Sequence, residues 1–204
     1  MTFIKSFIAT SLLIILSACN INPSLSHLLN SNNYLLVETA IDRTDNDARA
    51  KALSLLAQDI FVKVQNNFSS KEALDQQGVF STSATNTTTV DSSGYFKDVI
   101  FSEVENLGKK GYKVSVGLSS KALLSTITYL QYSLKIDSID SLTNKDLQEE
   151  YNKTNFLIAL ILYAKGYNLI TEENSLIEAT NYQKALNLRL SSAAQITFNI
   201  QPNL

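Results

Sequence analysis

The chain contains a single cysteine, and its position limits what the rest can be: it closes the tetrapeptide Leu16-Ser17-Ala18-Cys19. Ahead of it, Met1 to Lys5 is a short segment with one positive charge, and Phe7 to Leu16 is a nearly uninterrupted apolar run. Such a run falls short of the roughly 20 apolar residues that cross a bilayer and has the layout of a secretory signal. A branched apolar residue, two small residues and a cysteine have the form of a lipobox. The peptidase requires small side chains before its cut, and lipid transfer requires a thiol to alkylate. The expectation is a lipoprotein signal peptide over 1–18, with Cys19 as the lipidated first residue of the mature chain.

Cysteine usage agrees with export. One cysteine can form no internal disulfide, and a free thiol in an oxidising compartment is a liability that a thioether to diacylglycerol removes. Stable anchoring takes more than one acyl chain, and a mature lipoprotein carries enough to make it lasting. The second mature residue is Asn20, not the aspartate that retains lipoproteins in the inner membrane under enteric-type sorting. The expected location is therefore the outer membrane, with the domain facing the periplasm or the cell surface.

Charge narrows the partners. The chain has 17 Lys+Arg against 19 Asp+Glu, and removal of Lys5 with the signal makes the mature chain slightly more acidic. That balance offers no electrostatic footprint for nucleic acid. A hydrophobic fraction of 45% is ordinary for a globular domain large enough to need no metal or disulfide staple. Residues 19–33 are rich in Asn and Ser and read as a lipidated flexible tether, in which His27 is an ordinary polar residue.

From Tyr34 the pattern becomes regular. Tyr34 to Ile41 is β-prone and mostly apolar, a buried strand. Thr44-Asp45-Asn46-Asp47 starts a helix in which Ala48, Ala52, Leu55, Leu56 and Ile60 recur on one face. Around Ile60 the period changes to two, and Ile60 to Gln65 reads as a second strand. Residues 66–94 are polar and nearly low-complexity, a mobile loop. A third strand is expected over Tyr95 to Val104, and the turn Gly108-Lys109-Lys110-Gly111 leads into a fourth, Tyr112 to Leu118, with clean alternation. Residues 34–118 thus form an α+β domain, a β-α-β-β-β antiparallel sheet with one covering helix.

Residues 119–204 read as a helical C-terminal region. Ser119 or Ser120 caps a helix with the stripe Leu123, Ile127, Leu130 and Leu134; Asp137–Thr143 breaks it; Thr143-x-x-Asp146 starts a longer one. The middle of that helix, Phe156–Tyr163, is apolar on every side, the centre of a helical core or a surface for a partner. Ser175-x-x-Glu178 is a capping box for a last helix to about Ala194, which makes a helix hairpin, and Ile196 to Gln201 alternates as a final strand.

Tyr34-Leu35-Leu36-Val37, followed by Asp47-Ala48-Arg49, Ala52, Leu56-Ala57, Ile60, Val62 and Val64, resembles the Lpp-twenty family of bacterial outer-membrane lipoproteins, as does the lipobox with its short tether upstream. The resemblance covers Tyr34 to Leu124. It implies an outer-membrane lipoprotein, and related domains in flagellum-associated lipoproteins make motility one implied context.

Catalytic chemistry finds no support in the residues. Asp42, Asp45 and Asp47 do not make a calcium loop, which needs glycine at its sixth position and a distal glutamate where this chain has Asp47 and Leu53. They read as helix capping. Glu103 and Glu105 share one side of a strand end, whereas glycosidase carboxylates oppose each other across a substrate. Glu149-Glu150 and Glu172-Glu173 read as a solvated helix face and a loop. One histidine and one acylated cysteine leave no nucleophile-base or zinc constellation, and no Gly-rich phosphate loop or G-x-S-x-G occurs. The expectation is a non-enzyme without cofactor or metal, holding a structural or assembly role, bound to the membrane through its lipid and to protein partners or further copies of itself. The alternative is a periplasmic binding module that holds a small apolar ligand or peptidoglycan fragment against Phe156–Tyr163.

Overall fold

Nine residues of high β-propensity, Tyr34–Asp42, form β1, and a helix begins three residues later because Thr44 ends the strand and caps the helix. The Thr44 hydroxyl accepts the Asp47 N–H at 3.1 Å and donates to the Asp47 carboxylate at 2.7 Å. In the computed structural model, residues 33–69, 93–171 and 173–198 are described. The chain divides into Met1–Asn32 and a body from Asn33 onward, and the described residues all belong to the second. Cys19, Asn20, His27, Glu172, most of the 66–94 loop and the 199–201 end of the expected final strand therefore lie outside them.

The body is α+β. After β1 come α1 (Asp45–Ser69), β2 (Ile100–Phe101), β3 (Glu105–Asn106), β4 (Tyr112–Ser119), α2 (Ser120–Ser133), α3 (Asn144–Gly166) and α4 (Asn174–Phe198), with short 3₁₀ turns at Ser93–Tyr95, Gly108–Lys110 and Ile136–Ser141. β4 is the centre of an antiparallel four-stranded sheet, with β1 on one edge and β2 and β3 in succession on the other. Leu36 faces Leu118, Glu38 faces Val116 and Ala40 faces Val114. Between the pairs Phe101–Val116 and Glu105–Lys113 the β2–β3 side carries one residue more than β4, a bulge. The Ser102 hydroxyl repairs it by accepting the Ser115 N–H at 2.9 Å, while Ser102 N–H donates to the Ser115 carbonyl at 2.8 Å.

Gly111 is required where β4 begins. Its φ is +96°, and a Cβ there would come 2.2 Å from the Asp42 carbonyl oxygen, so no other residue fits the crossing of the turn over β1.

Three expected strands are corrected. Ile60 to Gln65 is helix, continuous in α1. Ile60 and Val64 extend the stripe Ala48, Ala52, Leu56, and Phe61 turns inward beside them, leaving Val62 40% exposed. A strand would have placed Phe61 opposite Ile60 and Val64, losing its contact with Phe156 at 5.8 Å between ring centroids. The burial of this 3.6-residue stripe overrides the β-propensity of the valines. Over Tyr95 to Val104 only Ile100–Phe101 pairs with the sheet. Phe96 is drawn onto Phe156 in an edge-on contact at 5.3 Å, Lys97 N–H donates to the Thr126 hydroxyl at 3.0 Å, and Asp98 sits at φ +56°. The backbone there satisfies itself on α2, not on β4. At the C-terminus, residues 196–198 belong to α4, since neither glycine nor proline intervenes to stop the helix near Ala194.

The helical part otherwise follows its caps. Ser119 accepts the Ala122 N–H at 3.2 Å to start α2, and Thr143 and Asp146 form the reciprocal capping box of α3. The helix α3 ends with Asn168 at φ +56°, where Leu169 N–H donates to the Ala164 carbonyl and Asn168 N–H to Lys165, each at 3.0 Å. The box expected at Ser175 is not used: Leu176 and Ile177 N–H groups donate to the Glu173 carbonyl, so the helix starts earlier and Ser175 lies in its first turn.

The layers follow from these faces. The helix α1 packs on the sheet through Ala48, Ala52 and Leu56; α3 packs on α1; α2 and α4 flank α3. Phe156 through Ala164 are all buried, and a single apolar cluster runs from Leu36 on β1 to Ala179 on α4. Of the two readings of Phe156–Tyr163, the core is the one realised. Phe61, Tyr95 and Phe96 ring Phe156, and every residue of the stretch is buried within the one chain.

Candidate functional site

Most of the charged groups singled out in the sequence have partners among the described residues. Asp45 pairs with Arg49 one turn on at 2.8 Å, and Asp42 accepts the Arg43 N–H at 2.7 Å and faces Lys51 at 3.4 Å. The Arg43 backbone bond, more than the lysine, holds the Asp42 carboxyl below its usual range. With Asp47 in the Thr44 cap, the three aspartates close a helix start. They do not converge on a cation. Glu105 pairs across the sheet with Lys113 at 3.2 Å, and Glu103 is exposed. Glu173 is 76% exposed with Lys165 at 3.7 Å. Glu38 faces α1, where burial and then Asp59 raise its carboxyl above the ordinary value. A raised acid disfavours the folded state above its unfolded pKa, and that penalty fades as pH falls.

Glu150 corrects the reading of Glu149-Glu150 as a solvated face. Glu149 is exposed, but Glu150 is 2% exposed and Lys153 7%. One Glu150 oxygen takes the Lys153 ammonium; the other accepts the Lys135 N–H at 3.1 Å and the Tyr182 hydroxyl at 3.3 Å. Lys153 also donates to the Ser133 carbonyl at 3.2 Å. Burial and the neighbouring Glu150 carboxylate push the Tyr182 phenol well above its usual range. Asn155 with Gln183 forms a second buried polar pair one turn along. The layer ties the end of α2 to α3 and α4, which is a structural task. Its signal in the sequence was spacing: Leu147, Glu150, Thr154 and Leu157 lie on one helical face.

A groove of about 280 Å³ lies between α2 and the α3–α4 loop, over Leu124, Ile127, Ile161, Leu169 and Ile170, with Thr128 and Gln131 at its rim. A wider depression of about 610 Å³ over Tyr95 is bordered by Lys145, Gln148, Glu149 and Asn152. The first is smaller than the roughly 300–1,000 Å³ usual for ligand sites, and neither brings a base beside a nucleophile. Among the described residues no group of three or more His, Cys, Asp or Glu converges, and no helix is long and apolar enough to cross a membrane. Fold and interior define an α+β domain with a helical C-terminal hairpin. Comparison with family models, with curated proteins and with solved structures gave no match.

Proposed function

We propose that the chain is a lipid-anchored outer-membrane lipoprotein with a non-catalytic structural or assembly role in the bacterial envelope. The observation that carries this reading is Leu16-Ser17-Ala18-Cys19, where the chain's single cysteine ends a short apolar segment of signal length. The resemblance of Tyr34 to Leu124 to the Lpp-twenty family supports it and places motility among the contexts to test. The charged groups of the body serve caps, ion pairs and a buried polar layer, which favours a scaffold over an enzyme.

Cys19→Ser removes the only thiol that can take the lipid. The variant should incorporate no radioactive palmitate and should keep its signal peptide, read as a heavier band on a gel; palmitate incorporation would overturn the proposal. Asn20→Asp should move the protein toward the inner-membrane fraction in an enteric host, read by density-gradient fractionation. An unchanged distribution would remove the argument for the outer membrane.

A further inference from the structure

Among the described residues one face of the sheet is covered by helix and the other is not, although Ser115 and Gly117 at the centre of that second face are themselves buried. Leu36, Ala40, Val114, Val116 and Leu118 point to α1 and are buried. On the other face Val37 and Ile100 lie on either side of Gly117, Thr39 lies opposite Ser115 with 2.7 Å between their hydroxyls, and Ile41 lies opposite Lys113. The Tyr34 ring lies over Gly117, so close that a Cβ on that glycine would come 2.6 Å from the ring. Ile41 and Ile100 are 44% and 49% exposed, and no described helix covers this side, because α1, α3 and α4 are stacked on the opposite one.

We propose that this open face rests on the lipid surface that holds the Cys19 anchor. The inference depends on the lipidation reading. Three observations favour lipid over another occupant. The chain enters the body at Tyr34, on this face, 15 residues after Cys19, which keeps the entry point within about 50 Å of the bilayer. Tyrosine and short aliphatic side chains at the edge of the face suit the headgroup boundary, where apolar bodies are buried and polar tips stay wet. The turn at the end of the sheet away from Tyr34 carries Lys109 and Lys110, both exposed and, among the described residues, in no ion pair; Lys113 within the face is already matched by Glu105. A tyrosine at one end and two lysines at the other fit an anionic lipid surface.

The test uses the full lipidated chain. Thr39→Cys and Ile100→Cys report the open face, and Leu188→Cys, at a position 71% exposed on α4, reports the far side. The Cys19 thiol is occupied by lipid, so each variant carries one thiol for an environment-sensitive fluorophore. On phosphatidylethanolamine–phosphatidylglycerol vesicles containing nitroxide-labelled lipid, labels at 39 and 100 should be strongly quenched and the label at 188 should not. Lys109→Glu with Lys110→Glu should lower the docked-to-free ratio about fivefold or more, since each lysine near an anionic surface is worth about that factor. Equal quenching at 39, 100 and 188 on palmitate-labelled, vesicle-bound protein would overturn the docking and leave the anchor standing. Self-quenching between labels at 39 without lipid quenching would assign the face to a second copy and overturn the proposal. Protein that carries no palmitate would overturn the anchor reading and this one with it. Two reporter positions guard against one variant failing to fold, which circular dichroism would reveal.

Discussion

Lys153→Met should destabilise the protein by about 3–5 kcal/mol, the cost of leaving a buried charge without its partner. Glu150 would keep the Lys135 N–H and the Tyr182 hydroxyl but lose the ammonium that neutralises it, at a site 2% exposed. The Ser133 carbonyl would also lose a donor. Urea denaturation followed by far-UV circular dichroism measures the loss. Replacing the whole cluster, Glu150→Met with Lys153→Met and Tyr182→Phe, should restore much of it, because the charges leave together and what remains unpaired is neutral, the Lys135 N–H and the Ser133 carbonyl. A Lys153→Met cost below about 1 kcal/mol would mean that the pair behaves as a solvated one. The arrangement points to specificity as the role of the cluster. It joins the C-terminal end of α2, the middle of α3 and the middle of α4 at one level, so a one-turn slip of the hairpin would bury Glu150 among apolar groups.

That cluster also marks the limit of what local pattern can reveal. β1, β4 and the starts of α1, α2 and α3 were legible because their causes are local: alternation in Tyr112–Leu118, and hydroxyl caps at Thr44, Ser119 and Thr143. Ile60 to Gln65 misleads because Ile60, Phe61, Val62 and Val64 fit a period of two and a period of 3.6 alike. Only the presence of Phe156, nearly a hundred residues on, decides between them. Tyr95 to Val104 fails as one strand for the same kind of reason, since Phe96 and Lys97 answer to Phe156 and Thr126. Glu150 looked solvated beside Glu149 because adjacent helical residues point about 100° apart, and the burying partner, Tyr182, lies on another helix.

Leu160→Glu should unfold the protein and not merely dissociate an assembly. The four residues that repeat along one side of α3 are Phe156, Leu160, Tyr163 and Tyr167, and the first three are 0–3% exposed within one chain. Tyr163 donates its hydroxyl to the Leu35 carbonyl of β1 at 3.4 Å, so this side of the helix is closed by the sheet edge of the same molecule. Exchanging Leu160 for a carboxylate removes a buried leucine, worth about 2–5 kcal/mol, and adds the desolvation of a charge without a partner. Against a total stability of about 5–15 kcal/mol, little or none remains. Burial would raise the introduced carboxyl above its unfolded pKa, so the damage should be greatest at neutral pH and lessen as pH falls through the folded pKa. The measurements are far-UV circular dichroism and light scattering across pH 4–8. A variant that stays folded at pH 7 but loses a larger assembly would show that α3 is reached from outside. Among the described residues, the surfaces open to an assembly include the sheet face around Ile41 and Ile100 and the outer sides of α2 and α4, where Tyr132 is 88% exposed and Leu188 71%. Were the sheet face to rest on the bilayer as proposed, the outer sides of α2 and α4 would remain for a protein partner.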